Sequence, residues 1–434
     1  MEMETAEAQS SQCVAGVPPS VQPGVAQRKE GKELVGYLRS PSAIRDRCEQ
    51  LFELALIGES HHFNCDLTQL PKVAEYVIEV MREQYPDLQI PFHSRWRHFE
   101  ASGVQRLSQL DEKLAGLTPE EKAVAKFDLA IISVLLDAGA GESWYYHERE
   151  TQLDFKRSEG LAVASFHMFC DGTFSSDRQT TPLQVDAQKL QALTEKELAD
   201  GFGVNANNPL VGIAGRLKLL QKLGQALLSS PHLFGKENPR PGNLVNFFIQ
   251  NSHNKQVAAA NVLGAVLEGL SEIWSGRIEV ARINLGDTWF HPRVSDDGLV
   301  PFHKLSQWLT YSLLEPLQEL GLEITGLDVL TGLAEYRNGG LCLDLGLISP
   351  KHPEILLQSH SVASEVIVEW RALTVILLDR IAATVRDKLS MSAEELPLVK
   401  ILQGGTWTAG RKIAAERRKG AVPPIQIESD GTVF

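Results

Sequence analysis

The residues best suited to chemistry fall in two stretches. In 299–346, His303 and Lys304 open an apolar helical pattern, and Glu335, Arg337 and Asp344 stand around the paired glycines Gly339 and Gly340. A charged group beside an apolar run is costly to bury unless it is paired or used. These groups are therefore either an ion pair closing a helical hairpin, Glu335 with Lys304 or Arg337, or groups put to use in a site. In 90–100, IPFHSRWRHFE sets His93, Arg95, Arg97 and His98 among Phe92, Trp96 and Phe99. Guanidinium groups bind phosphate in bidentate fashion, and aromatic rings stack on flat ligands or on the arginines themselves. This stretch reads as a ligand or anion pocket, or as a helix start held by cation–π packing.

The elements that must position these groups are helical. Leu305, Trp308, Leu309, Ser312 and Leu313 recur at helical spacing, and Pro316 should kink or end that helix. Ser40-Pro41 predicts a helix start, with serine as N-cap and proline at the first helical position. Its apolar face is Ile44, Cys48, Leu51, Phe52 and Ala55. Helices are also expected over 67–85, 122–137, 184–228 (with a loop at 205–209), 257–273, 366–389 and 410–419, and 158–169 is an apolar run. Asp137 ends one of them at the unfavourable pole of the helix dipole, so it needs a partner. Gly139 and Gly141 follow as a C-cap. Only 277–285 (RIEVARINL) and 423–434 (PPIQIESDGTVF) carry strand character. The expected fold class is mainly α with a minor β component.

The 434 residues are 43% hydrophobic and 22% charged, the balance of a globular protein. Residues 1–33 lack periodicity and are expected to form a disordered tail. Residues 34–434 are expected to form one integrated helical unit, with a sub-boundary allowed near 230–242. The formal net charge of −13 disfavours a nucleic-acid surface, which needs a basic stripe. No apolar run is long enough for a transmembrane helix, and the acidic start is no secretory signal. Five scattered cysteines without a CxxC spacing suit reduced thiols, hence a cytoplasmic setting. No HExxH, GxxxxGK[ST] or strand-borne GxGxxG occurs, so no metal and no cofactor are expected.

Several long blocks together resemble a known family: PFHSRWRHFE (91–100), LLDAGAG (135–141), SEGLAVASFHMF (158–169), FHKLSQWLTYSLLEPL (302–317), LTGLAEYRNGGLCLDLG (330–346), VEWRALTV (368–375), GGTWTAGR (404–411) and SDGTVF (429–434). They are similar to the uracil-catabolism (Urc/Urg) protein family of the pyrimidine degradation pathway. The resemblance implies action on uracil after its conversion to a nucleotide. A companion enzyme resembling GTP cyclohydrolase II would open the ring. This family would then hydrolyse the N-ribosidic bond of the ribosylurea-type product, releasing urea and ribose or ribose phosphate.

A second, more distant resemblance rests on the order FHK, AEYR, EWRA, similar to FYK, ADYR, EIRG in the queuosine-nucleotide N-ribosylhydrolases. It implies a helix-hairpin-helix DNA-glycosylase-like architecture in the C-terminal half. It also implies Lys304 and Glu335 as the catalytic residues, with Arg337 in support. Glu335 is one methylene longer than that family's aspartate. Substrate contacts are expected from His93, Arg95, Arg97, His98, His303, Arg337 and Asp344, with Arg95, Arg97 and His98 at a 5′-phosphate. Asp137, Asp344 and Glu369 are further carboxylates, each with a structural reading beside it. The expected partner is a small-molecule nucleoside or nucleotide, with homo-oligomerisation left open. The competing class is a non-catalytic nucleotide-binding scaffold or pathway regulator.

Overall fold

The computed structural model describes residues 25–141, 143–274 and 277–428. Helix accounts for 58% of the described residues and strand for 9%, so the mainly α expectation holds. The helices used below are α1 (Val25–Leu38), α2 (Pro41–Leu56), α3 (Leu70–Gln84), α4 (Arg95–Phe99), α5 (Pro119–Leu135), α6 (Arg157–Cys170), α7 (Lys304–Glu319), α8 (Tyr336–Asp344), α9 (Glu365–Leu389) and α10 (Trp407–Arg417).

α2 starts as its sequence predicts: Pro41 opens it and the Ser40 hydroxyl accepts from the Ala43 amide at 3.2 Å. α1 corrects the expected tail, because helix begins at Val25, inside 1–33. Its Val35 and Leu38 are buried against Leu285 and Leu299, which gives this segment an apolar anchor. The part of the expected tail before Val25 lies outside the described residues. α7 carries Pro316 and runs three residues past it; the Ser312 carbonyl that the proline leaves without its helical donor accepts from Trp96 Nε1 at 2.6 Å.

Strands among the described residues pair only two at a time. Thr288–Phe290 runs antiparallel to Leu299–Pro301, in the register Thr288↔Pro301, Trp289↔Val300 and Phe290↔Leu299, and delivers the chain to α7. RIEVARINL holds two strands of two residues each, not one strand. Ala281 and Arg282 both take positive φ (51° and 65°) and fold it into a tight hairpin. Gln426–Glu428 pairs parallel with Ser359–Ser361, while the Asp-Gly of the expected terminal turn lies outside the described residues.

One cluster of buried apolar side chains extends from Ile44 to Ile425 and includes residues on both sides of 230–242. The long helix α9 is its axis, with Ile367, Val368, Leu373, Leu377, Leu378 and Ile381 all buried. α9 packs on α2, α3 and α8. Trp370 of α9 lies so close to α8 that a Cβ on Gly339 would meet its ring at 2.7 Å. Gly410 likewise lets α10 lie on α8, since a Cβ there would stand 2.2 Å from the Arg337 carbonyl. These two glycines set how closely α8 lies against α9 and α10.

Candidate functional site

A cavity of about 280 Å³ is lined by His93, His98, Asp137–Gly141, Arg157, Ser158, Lys304, Leu305, Trp308, Leu333, Glu335, Tyr336, Arg337 and Trp407. Its volume lies at the small end of ligand pockets and suits a metabolite.

Lys304 reaches the cavity because its chain turns sharply. His303 takes a left-handed conformation (φ 47°), a strained state for a residue with a side chain. Its ring Nε2 donates to the Leu38 carbonyl at 2.8 Å and holds it there. The Lys304 amide donates to Asp287 Oδ2 at 3.0 Å. The ammonium sits at the positive pole of α7, where a cation is disfavoured. It makes no hydrogen bond or ion pair among the described residues. Burial lowers its pKa, and the charges of Glu335 and Asp137 oppose that shift.

Glu335 is the N-cap of α8. Its Oε2 accepts from the Arg337 amide at 2.9 Å and its Oε1 from the Asn338 amide at 2.6 Å. Burial raises its pKa, against the pull of Arg337, Lys304 and those two amides. Lys304 and Glu335 thus face one cavity, feel each other's charge, and do not form an ion pair. The alternative of a salt bridge between them does not describe this geometry.

One residue ties the two together. Arg371 of α9 donates to Asp287 through both terminal nitrogens, at 2.8 and 2.7 Å, and through Nε to the Ala334 carbonyl at 3.3 Å. Asp287 holds the start of α7 and Ala334 precedes Glu335, so one guanidinium sets the spacing between the FHK and AEYR blocks. The Asp287 carboxyl is buried, yet Arg371, Trp289 and the Lys304 amide hold it well below the usual carboxylate range.

The other wall is aromatic. Trp407 lies 5.5 Å from the His93 ring and 6.1 Å from the His98 ring, while Trp308 lies 6.4 and 5.5 Å from them. The Arg337 guanidinium stacks 4.3 Å above Trp407. A π-helical turn at 402–406 precedes Trp407 and aims its indole inward; such turns recur at functional sites. Burial pushes His93 down to about 4 and His98 well below its ordinary value, so both imidazoles are neutral near pH 7. His93 Nδ1 meets Gln403 Oε1 at 2.9 Å. Trp308 Nε1 is buried without a partner among the described residues, which calls for an explanation.

Of the residues singled out by sequence, the cavity gathers Lys304, Glu335, His93, His98 and Arg337. Arg95 stands behind the wall, fully buried, holding Asp137 at 2.7 Å and Ser133 at 2.7 Å. Arg97 pairs with Glu315 at 2.8 Å. Asp344 is clamped by both terminal nitrogens of Arg418 at 2.6 Å each, away from the cavity lining. His303 is 1% exposed and positions Lys304 without lining the cavity. Glu369 accepts from Ser60 and the amides of His61 and His62. Asp137 is the further carboxylate that does line the cavity; Arg95 is the partner its helix-end position demanded. Sequence reasoning overlooked Arg157 and the role of Trp407. The signal for Trp407 was its GGT-W setting, where paired glycines permit the close helix approach.

Comparison with known proteins places the chain in a family. The model for the family described as Protein of unknown function (DUF1688) matches residues 37–434. "Uracil catabolism protein 4" of Lachancea kluyveri is 38% identical over 440 residues, covering 92% of this chain and 99% of that protein. "Protein urg3" of Schizosaccharomyces pombe is 39% identical over 410 residues, covering 93% of this chain and 99% of that protein. With its Lys304, Glu335 and Arg371 blocks all inside the matched span, the chain belongs to the DUF1688 family, to which its sequence blocks already pointed.

Proposed function

We propose that the protein acts in uracil catabolism by hydrolysing the N-ribosidic bond of a ring-opened pyrimidine nucleoside or nucleotide of the ribosylurea type. The names of its relatives support the pathway. The observation that carries the chemistry is the unpaired Lys304 facing the buried Glu335 across a cavity. The C1′–N bond breaks as water adds its oxygen to C1′, and the water's proton balance ends on the leaving nitrogen. The ribose passes through an oxocarbenium-like state that a carboxylate stabilises. Glu335 contacts the ribose or the attacking water, its direction fixed by two amides. Lys304 engages a ribose oxygen, and Asp137, backed by Arg95, is a second carboxylate beside the sugar. The products are urea and ribose or ribose phosphate. A helix-hairpin-helix DNA-glycosylase-like frame for the C-terminal half belongs to the same proposal.

The test is urea release by the purified full chain from ribosylurea and from its 5′-phosphate. Glu335→Gln should lower the rate about 10²–10⁴-fold, the range of acid–base contributions. An unchanged rate in that variant would remove Glu335 from the mechanism. The N-cap duty of Glu335 favours a second reading, a non-catalytic nucleotide-binding regulator. Thermal stabilisation by ribose phosphates with no urea from either substrate would select that reading.

A further inference from the structure

Resting on the proposed function, we infer that the substrate's sugar carries a phosphate ester, held by Arg157 and Arg337 at the rim of this same cavity. Neither arginine was assigned that task by the sequence, which gave it to Arg95, Arg97 and His98. Those three are otherwise occupied or uncharged: Arg95 holds Asp137, Arg97 holds Glu315, and His98 is neutral.

Most arginines near the core of this chain are consumed by a carboxylate. Arg106 takes Glu148, Arg371 takes Asp287 and Arg418 takes Asp344. Arg337, half-buried, breaks that pattern, and the exposed Arg157 joins it at the cavity. Both line the cavity, and neither makes an ion pair among the described residues. In a chain of net charge −13, two uncommitted guanidiniums on one cavity mark a place for an anion.

Their presentation fits phosphate. Arg337 lies between Trp407 at 4.3 Å and Tyr336 at 5.5 Å, so stacking holds the plane and leaves its N–H edge available. Arg157 is exposed and takes a left-handed backbone (φ 54°) at the first position of α6. α6 has no side-chain cap, and Ser158 beside Arg157 lines the same cavity. Trp308, whose buried Nε1 has no partner among the described residues, lines the same cavity. The charges also divide the space. The His93, His98, Trp308 and Trp407 wall is uncharged and suits neutral urea, whereas the guanidiniums suit a dianion bonded through several oxygens.

The experiment is calorimetric titration of the full chain with ribose 5-phosphate, ribose and inorganic phosphate. Ribose 5-phosphate should bind at least about 10-fold more tightly than ribose, the equivalent of one charge-assisted hydrogen bond. Arg157→Ala should remove most of that preference and Arg157→Lys should keep part of it, with thermal midpoints checking that each variant folds. Inorganic phosphate should compete with ribose 5-phosphate. Equal binding of ribose and ribose 5-phosphate, or a preference unchanged in both Arg157→Ala and Arg337→Gln, overturns the inference. A clear phosphate preference with no urea release would sink the hydrolase reading and leave this one standing. Equal turnover of ribosylurea and its 5′-phosphate would do the reverse.

Discussion

Two places in this molecule bury opposite charges, and they do so in opposite ways. At Glu148, the carboxylate accepts from Arg106 Nε at 2.7 Å and Nη2 at 2.6 Å, meets His167 Nε2 at 2.7 Å and accepts from the Thr151 hydroxyl. Both members of the Arg106–Glu148 pair are nearly inaccessible, and no oxygen of Glu148 is left without a donor. At the cavity, Lys304 and Glu335 feel each other's charge without forming an ion pair. Among the described residues, the lysine has no partner and the glutamate is held by backbone amides alone. A saturated buried pair is structure, whereas a buried charge left facing an opening is held in readiness for something that enters. The stretch around Arg95 shows the same contrast at shorter range, since Arg95 is spent on Asp137 while Arg337 is not.

Substitutions can break or sharpen this contrast. Lys304→Met should lower urea release about 10²-fold or more, while the thermal midpoint stays level or rises, because a desolvated ammonium at the wrong helix pole has gone. A large loss of stability instead would place Lys304 with the structural pairs. Arg106→Ala should do the opposite. It strands a buried carboxylate and should cost about 3–5 kcal/mol in chemical denaturation, with the rate per folded molecule little changed. A matching fall in rate at intact stability would show that the two regions are coupled.

The smallest effect is in pH dependence. The Glu335 carboxyl lies above 4.5 and the Lys304 ammonium below 10.5, each moved by burial. If the glutamate acts ionised and the lysine protonated, kcat/KM rises with pH through a limb above 4.5 and falls through one below 10.5. With His93 at about 4, it contributes no inflection near 6.5. Stability follows the other region. Burial raises the Glu148 carboxyl, but Arg106, Thr151 and His167 outweigh it and hold it down to about 2. A depressed acid stabilises the fold above its unfolded value of 4.5, and that contribution is lost as pH falls from there toward 2. Denaturation midpoints across that window check it; a flat response would mean that Glu148 is not so held.

Much of the frame was legible in the sequence because its signals are local. Ser40-Pro41 caps a helix through neighbouring atoms, and the apolar spacing from Leu305 to Leu313 lies on one helix face. Lys304 and Glu335 were legible through their motif blocks. The spent arginines were not, because a sequence shows a charge but not its distant partner. Asp137 lies 42 positions from Arg95, and Glu315 lies 218 from Arg97. Arg157 went unnoticed, since nothing local announces that it makes no ion pair among the described residues. RIEVARINL has β-branched residues throughout, but two consecutive left-handed residues fold it into a hairpin that composition does not reveal.

The π-helical turn at 402–406 has a consequence for how this chain tolerates change. An α-helix advances about 100° per residue, so an inserted residue rotates everything downstream by roughly that angle. The bearing of the Trp407 indole is therefore set by how many residues separate it from Leu398, more than by which residues they are. A shortening by one would restore a regular spiral, swing the indole off its histidine neighbours and uncover Arg337, all without altering a single side chain at the pocket.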